Sequence, residues 1–156
     1  MGGILTVDIK LRKATIDDLD TLIDLEKKGF SVDLFARNQF RYLLTKANAT
    51  AIIIEVSSVV AGAAIMLWKR NLNSGRLYNI VIDPTLHGQG IGRRLIKACE
   101  QEAITRGCSS ISLEVRSDNT RAISFYLKQG YIRLKTVPGY YSDGASALKM
   151  RKTLKS

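Results

Sequence analysis

The chain has 156 residues and a formal net charge of +10, from 24 Lys and Arg against 14 Asp and Glu. This length suits a single domain over residues 1–156, and a hydrophobic content of 46% excludes a disordered chain. No apolar run approaches the ~18 residues that cross a membrane, and the N-terminus lacks the pattern of a signal peptide. With one histidine and two cysteines, we expect a cytoplasmic protein without a metal site or a disulfide framework.

The positive charge fits an anionic cofactor, a nucleic acid or a ribosomal neighbourhood equally well. No basic run reaches five residues, and aromatic residues do not alternate with basic ones as base stacking requires. Nucleic-acid binding is therefore possible but not favoured. The sequence leaves the oligomeric state open between a monomer and a homodimer.

The first half of the chain predicts a strand, two helices and a hairpin. Residues 5–13 alternate apolar and polar side chains, which is typical of a half-buried strand. Thr15 is placed to cap a first helix, and a second helix covers about Arg37 to Lys46. The apolar runs 51–56 and 59–68 are joined by only two residues, which predicts a hairpin.

The second half predicts strands that alternate with helices. Residues 71–75 are predicted as a loop. An apolar strand at 77–82 then precedes a glycine-rich loop and an amphipathic helix that Gly107 closes. Residues 110–116 alternate as a strand, Asp118 or Asn119 caps the next helix, and a strand pair follows around the loop PGYYSDGAS. Together the elements indicate an α/β domain with a mixed sheet and helices on both faces.

The loop HGQGIG, from His87 to Gly92, has the composition of an anion site. Glycines permit positive φ and a close backbone approach, and the following helix N-terminus attracts phosphate oxygens. A Walker loop is excluded because Gly92 is followed by arginine rather than by Lys and Ser or Thr. A dinucleotide fingerprint is excluded because its third glycine is missing.

Three segments together resemble one family. The HGQGIG loop resembles the Q/R-x-x-G-x-G/A pyrophosphate loop of the GNAT superfamily of acetyl-CoA-dependent N-acetyltransferases, with His87 in the usual Gln or Arg position. The segments LEVRSDNTRAISFYLKQGY (113–131) and YYSDGASALKM (140–150) resemble the RimI-type branch, which acetylates protein N-termini, typically of a ribosomal protein. The resemblance implies the GNAT fold, a mixed and mostly antiparallel sheet of about seven strands.

The resemblance implies acetyl-CoA as the cofactor and indicates its site. Backbone groups of the central strand would hydrogen-bond the pantetheine arm, and the glycine loop and helix start would hold the pyrophosphate. Asn119 would contact the cofactor beyond its thiol end. The implied cofactor-binding residues are Ile80, Val81, Ile82, Gly88, Gln89, Gly90, Ile91, Gly92, Arg93 and Asn119.

The resemblance also implies a catalytic base and a catalytic acid. Glu114 matches the base that takes a proton from the attacking amine, directly or through one water, and Tyr126 matches the acid that protonates the departing thiolate. Taken alone, a glutamate on the polar face of a strand is most often solvated, and a tyrosine at this helix position is most often core. Backbone N–H groups near Tyr78 to Ile80 would stabilise the oxyanion, as in the family. Neither cysteine has an evident base partner, which favours direct transfer in a ternary complex.

The family grips its acceptor peptide with two loops, and this chain has residues that match both. The implied substrate-binding residues are Phe35, in the loop 30–35, and Tyr140 and Tyr141, in the last loop. Ala145 stands after the Asp-Gly pair, where the branch usually has an acidic residue, so recognition of a basic second residue is not indicated.

We expect an enzyme that acetylates the N-terminal α-amine of a protein of the ribosomal type. An enzymatic alternative is acetylation of a small-molecule amine or a lysine side chain, which the fold also supports. A non-enzymatic alternative is a module that senses acyl-CoA or associates with nucleic acid and has lost turnover.

Overall fold

The computed structural model describes residues 8–30, 36–70 and 73–155, and one seven-stranded sheet runs through them in the order β1-β2-β3-β4-β5-β7-β6. The strands are β1 (Ile9–Lys13), β2 (Ala49–Val56), β3 (Val59–Trp68), β4 (Ser74–Ile82), β5 (Ser110–Arg116), β6 (Ile132–Val137) and β7 (Ala147–Thr153). The helices are α1 (Leu19–Gly29), α2 (Arg37–Thr45), α3 (Ile91–Thr105) and α4 (Thr120–Lys128). Among the described strands only β4 and β5 pair in parallel, which confirms the predicted mixed and mostly antiparallel sheet.

Each face of the sheet has its own apolar core. Helices α1 and α2 cover β2, β3 and β4 on one face, where the buried residues are Leu19, Leu22, Leu25, Phe40, Leu43, Ala51, Ile53, Ala63, Ile65 and Val81. Helices α3 and α4 cover the other face, and their cluster extends over β5 and β7. Burial of a large apolar side chain contributes roughly 1.5–3 kcal/mol, so these two cores hold β4 firmly from both sides.

The end of α1 lies directly against β4. Gly29 is the last residue of α1, and a Cβ at this position would lie 2.4 Å from Cγ2 of Val81. Valine is stiff about χ1 and cannot easily turn aside. The close approach therefore requires glycine at position 29.

Most element boundaries agree with the sequence prediction, with two corrections. Thr15 does form a cap, but it caps a short 3-10 turn (Ile16–Asp18), and α1 begins only at Leu19. Strand β4 begins at Ser74 rather than at residue 77. The Ser-Gly pair was predicted as loop because these residues favour turns, yet Gly75 packs beneath an aromatic ring, where a Cβ would lie 2.7 Å from Cζ3 of Trp68.

The turn of the predicted hairpin has left-handed backbone at both residues. Ser57 and Ser58 have φ values of 51° and 69°, which is the conformation that matches the right-handed twist of the flanking strands. Residues 5–7 of the predicted first strand, and Phe35 of the predicted acceptor loop, lie outside the described residues. Within the described ranges, no helix is long and apolar enough to cross a membrane.

Candidate active site

The sheet opens between β4 and β5. These parallel strands pair only from Ser74 with Ser110 to Leu77 with Leu113. Beyond this point β4 continues to Ile82 beside β3, while β5 continues beside β7. Across the described residues, no strand pairs with the other edge of β4 from 79 to 82, so backbone groups there are available to a ligand.

Two cavities meet at this opening. They share six lining residues, which are Gly29, Phe30, Ile80, Asn119, Ala122 and Tyr126. One cavity extends toward the glycine loop and the other toward the tyrosine-containing loop between β6 and β7. We call them the loop-side cavity and the acceptor-side cavity.

The loop-side cavity, of about 490 Å³, collects most of the predicted cofactor residues. The nine that line it are Ile80, Val81, Ile82, Gly88, Gly90, Ile91, Gly92, Arg93 and Asn119. Gln89, the tenth, does not line it. His87, which stands in the usual Gln or Arg position of the loop, also lines the wall.

The glycine loop fits a phosphate-bearing ligand. Gly88 and Gly90 have φ values of +82° and +77°, and no protein atom lies within 4 Å of the place where either Cβ would be. A side chain at either position would therefore fill space that a ligand can use. Gly90 is also the N-cap of α3, and no side chain caps this helix, so its first N–H groups can bind an anion. Arg93 adds a positive charge in the same turn, which contains no acidic residue.

Tyr126 stands where the two cavities meet. Its side chain belongs to the buried face of α4, the residue is only 6% exposed, and its ring contacts Phe125 and Tyr131 edge-on at 5.4 and 5.7 Å between centroids. The hydroxyl has no hydrogen-bond partner among the described residues, although buried tyrosine hydroxyls usually have one. Burial raises the pKa of Tyr126, and the nearby Cys99 and Tyr141 add to this effect. The hydroxyl therefore keeps its proton at neutral pH. Its lack of a partner in the described parts of the chain indicates that a ligand accepts its hydrogen bond.

The acceptor-side cavity, of about 760 Å³, contains the predicted base and both predicted tyrosines. Glu114 projects from the polar face of β5, and Tyr140 and Tyr141 enter from the loop between β6 and β7. The structure thus brings Glu114 and Tyr126 to the same opening as Tyr140 and Tyr141.

Glu114 is held by two cations. Arg76 contacts its Oε1 through Nε at 2.8 Å and Nη2 at 2.7 Å, and Lys149 Nζ lies 3.8 Å from Oε2. Burial disfavours the charge of Arg76, but the hydrogen bond to Glu114 and its negative charge raise the pKa of Arg76 overall. The carboxylate is therefore oriented, and Oε2 is the oxygen with capacity to accept a further hydrogen bond.

The tyrosine loop is fastened to the end of β5. Arg116 Nη2 donates to Asp143 Oδ2, and its guanidinium lies 5.0 Å from the centroid of the Tyr141 ring. The Arg116 hydrogen bond and the Ala145 backbone N–H hold the pKa of Asp143 below its usual range. Arg76 also donates from Nη2 to the Tyr140 hydroxyl at 2.9 Å. The base and the tyrosine loop are thus positioned by the same arginine.

Sequence reasoning missed a buried carboxylate in this site. Glu26 of α1 is 3% exposed, lines the acceptor-side cavity and accepts a hydrogen bond from Asn79 Nδ2 at 2.8 Å. A signal was present, because Glu26 lies four residues after Leu22 and three before Gly29, on the apolar stripe of the helix. Arg76 was missed for a different reason, since it precedes the predicted strand 77–82.

The two cysteines take no part in this opening. Cys99 is fully buried, and desolvation raises the pKa of its thiol to about 12. Neither Cys99 nor Cys108 lines either cavity, and both are free thiols. A nucleophilic thiolate at the site is not supported by this arrangement.

A sequence model of the Acetyltransferase (GNAT) family matches residues 17–131, from the 3-10 turn before α1 to the residue before β6. The chain belongs to the GNAT family. It is an acetyl-CoA-dependent N-acetyltransferase, which confirms the predicted reaction class and cofactor and disfavours the non-catalytic alternative. The loop-side cavity is accordingly the place where the residues of this GNAT chain fit acetyl-CoA.

Similar proteins share the reaction but differ in their acceptors. An uncharacterised N-acetyltransferase of Methanocaldococcus jannaschii is 29% identical over 143 residues, covering 91% of this chain and 90% of that protein. The [ribosomal protein bS18]-alanine N-acetyltransferase of Escherichia coli K12 is 34% identical over 84 residues, covering 53% of this chain and 57% of that protein. Thialysine N-epsilon-acetyltransferase of Sus scrofa is 27% identical over 144 residues, covering 90% and 84%.

The fold is shared with a solved structure of the same reaction class. The ribosomal-protein-S18-alanine N-acetyltransferase from Escherichia coli superposes with a TM-score of 0.85 at 24% identity, and the alignment covers 96% of each chain. At this identity the likeness shows the GNAT fold and leaves the acceptor open.

Proposed function

We propose that this GNAT enzyme acetylates the N-terminal α-amine of a protein by direct attack in a ternary complex. The observation that carries the proposal is the convergence of Glu114 and Tyr126 on one opening, with Tyr126 where the two cavities meet. A ribosomal protein is the proposed type of acceptor, supported by the similarity to the bS18-alanine enzyme. The free thiols are compatible with a reducing, cytoplasmic location.

Acetyl-CoA supplies an activated acetyl thioester when it is bound. The glycine loop and the N-terminus of α3 would hold its pyrophosphate, and the open edge of β4 would hold its pantetheine arm. Backbone N–H groups of the same strand edge would stabilise negative charge on the acetyl oxygen.

Glu114 performs the first proton transfer in this proposal. Arg76 occupies Oε1 and keeps the carboxylate in place, while Oε2 accepts the proton of the acceptor amine, directly or through one water. Tyr126 performs the second, because its buried hydroxyl stays protonated at neutral pH and can protonate the thiolate that leaves.

The pKa of the amine favours an N-terminal acceptor. An α-amine titrates near ~8 and a lysine side chain near ~10.4, so deprotonation at neutral pH costs about 3 kcal/mol more for lysine. The acceptor-side cavity, at about 760 Å³, is also large enough for the first residues of a peptide.

A second candidate is acetylation of a small-molecule amine. It is favoured by the thialysine N-epsilon-acetyltransferase relative, which aligns over 90% of this chain. That protein acts on a side-chain amine of an amino acid, according to its name. Acceptor specificity separates the two candidates.

The experiment that tests the proposal is release of free thiol from acetyl-CoA with a panel of acceptors. The panel contains peptides that begin with Ala, Ser or Met, the same peptides with a blocked N-terminus and one lysine, thialysine and polyamines. We expect release only with free N-termini, with the added acetyl mass on the α-amine. Release only with lysine side chains or small amines would contradict the proposal.

A further inference from the structure

The excess positive charge is concentrated at the end of the chain. Residues 119–156 contain eight Lys and Arg and one Asp, a net charge of +7 out of +10 for the whole chain. Neither β6 (IRLKTV) nor β7 (ALKMRKT) contains an acidic residue. These two strands form the edge of the sheet next to β5, which carries Glu114.

Strand register places three of these cations on the same face as Glu114. Lys149 is the register partner of Glu114, and Lys135 of β6 is in turn the partner of Lys149. Arg151, two residues after Lys149, faces the same side. We call Lys135, Lys149 and Arg151 the basic strip.

No described helix covers this part of the sheet. The core beneath α1 and α2 involves β2, β3 and β4 and includes no residue of β5, β6 or β7. Lys135 and Arg151 are exposed, and neither has an ion-pair partner among the described residues. Lys149 reaches back to Glu114 at 3.8 Å, so the strip begins at the base itself.

The dimensions of the strip match a short stretch of extended peptide. Adjacent strands lie about 4.8 Å apart, so β5 to β6 spans about 10 Å, which about three extended residues cover at ~3.3 Å each. An acceptor whose amine lies at Glu114 would therefore carry its second to fourth residues over the strip. This argument rests on the proposed function, in which the acceptor is a polypeptide N-terminus.

We propose that the basic strip selects acceptors with acidic residues close behind the acetylated amine. Asp or Glu side chains at about the second to fourth positions would pair with Lys135, Lys149 and Arg151. Exposed pairs of this kind contribute little singly, but several cations on one face act together.

The test compares peptides that share their first residue and differ only at residues two to four, which are all Glu, all Gln or all Lys. We expect kcat/KM to fall from Glu to Gln to Lys by about threefold to tenfold at each step, and the differences to shrink at high salt. The double variant K135E/R151E should lose or reverse this order. K135E alone should weaken this order, and R133E is its matched control, because Arg133 lies on the same strand and undergoes the same charge change but is the register partner of Met150, on the other face.

Four results would overturn this proposal. Equal kcat/KM for the Glu, Gln and Lys peptides would remove the selectivity while leaving N-terminal acetylation intact. An equal effect of R133E and K135E would assign the effect to net charge rather than to the strip. Binding of an RNA oligonucleotide that K135E/R151E abolishes, with unchanged peptide preference, would assign the strip to nucleic acid. Turnover of small amines without turnover of any peptide would sink the proposed function, and this proposal with it.

Discussion

Tyr126 combines two properties that define its chemistry. Its ring is packed between Phe125 and Tyr131, which fixes its position, while its hydroxyl faces the opening without a partner among the described residues. Glu114 is fixed in a different way, by the two-point contact with Arg76. Both groups are thus oriented before any ligand binds, which general acid–base catalysis requires.

Removal of either proton-transfer group should abolish most of the turnover. We expect E114Q and Y126F each to lower kcat by about two orders of magnitude or more, the usual scale for an acid or base role. Both changes nearly conserve shape, so acetyl-CoA affinity should stay within about twofold. Steady-state thiol release measures kcat, and calorimetric titration measures the affinity for acetyl-CoA.

Matched controls separate chemistry from folding in these variants. Y131F removes another buried tyrosine hydroxyl, one that donates to Glu100, and Tyr131 lines neither cavity. E55Q breaks another arginine–glutamate pair, with Arg12, far from the opening. Both controls should lose stability and keep kcat. Unchanged kcat in E114Q and Y126F would refute the assigned roles.

We expect kcat/KM to rise with pH and not to fall through deprotonation of Tyr126. The rate constant kcat/KM is expected to rise as the acceptor α-amine loses its proton near ~8. Burial raises the pKa of Tyr126 above the ~10 of a free tyrosine, so the acid stays protonated throughout the assay range. A fall in kcat between pH 8 and 9.5 that Y126F removes would contradict this assignment.

At the scale of elements, we propose that the glycine loop and the start of α3 hold the pyrophosphate of acetyl-CoA. G90D should abolish acetyl-CoA binding, because it adds bulk and negative charge where the backbone is open to the ligand. G107D is the matched control at the other end of the same helix, since Gly107 has a φ of +82° and also has no atom within 4 Å. G107D should carry the same backbone strain but bind acetyl-CoA normally. Normal affinity in G90D would refute the site.

The contact of α1 with β4 should be sensitive to one methyl group. G29A places a Cβ 2.4 Å from Cγ2 of Val81, so the end of α1 must move away from the opening that Gly29 lines. We expect a loss of about 1–3 kcal/mol in the free energy of unfolding, with a lower kcat/KM. Urea denaturation measures the free energy of unfolding. K27A, at an exposed position of the same helix, should change neither, and a stable, fully active G29A would refute the packing argument.

At the scale of the molecule, periodicity and resemblance predicted the fold and most of the site. The strand 110–116 and the cap at Asn119 were confirmed because local sequence decides alternation and capping. The roles of Glu114 and Tyr126 stay predictions. The pairing of Arg76 with Glu114 joins residues 38 positions apart on parallel strands, and no local pattern reports such register. Ser74 and Gly75 were predicted as loop, but they belong to β4. The packing of Gly75 under Trp68 outweighs their preference for turns.

We propose that the two cavities form one site, which joins acetyl-CoA to a polypeptide α-amine. The most direct measurement is the affinity of a conjugate in which CoA is linked through an acetyl bridge to the α-amine of a peptide. We expect it to bind at least about a hundredfold more tightly than CoA alone, because linked ligands gain effective concentration, and more tightly than a conjugate linked through a lysine side chain. An affinity equal to that of CoA, or tighter binding of the lysine-linked conjugate, would contradict the account.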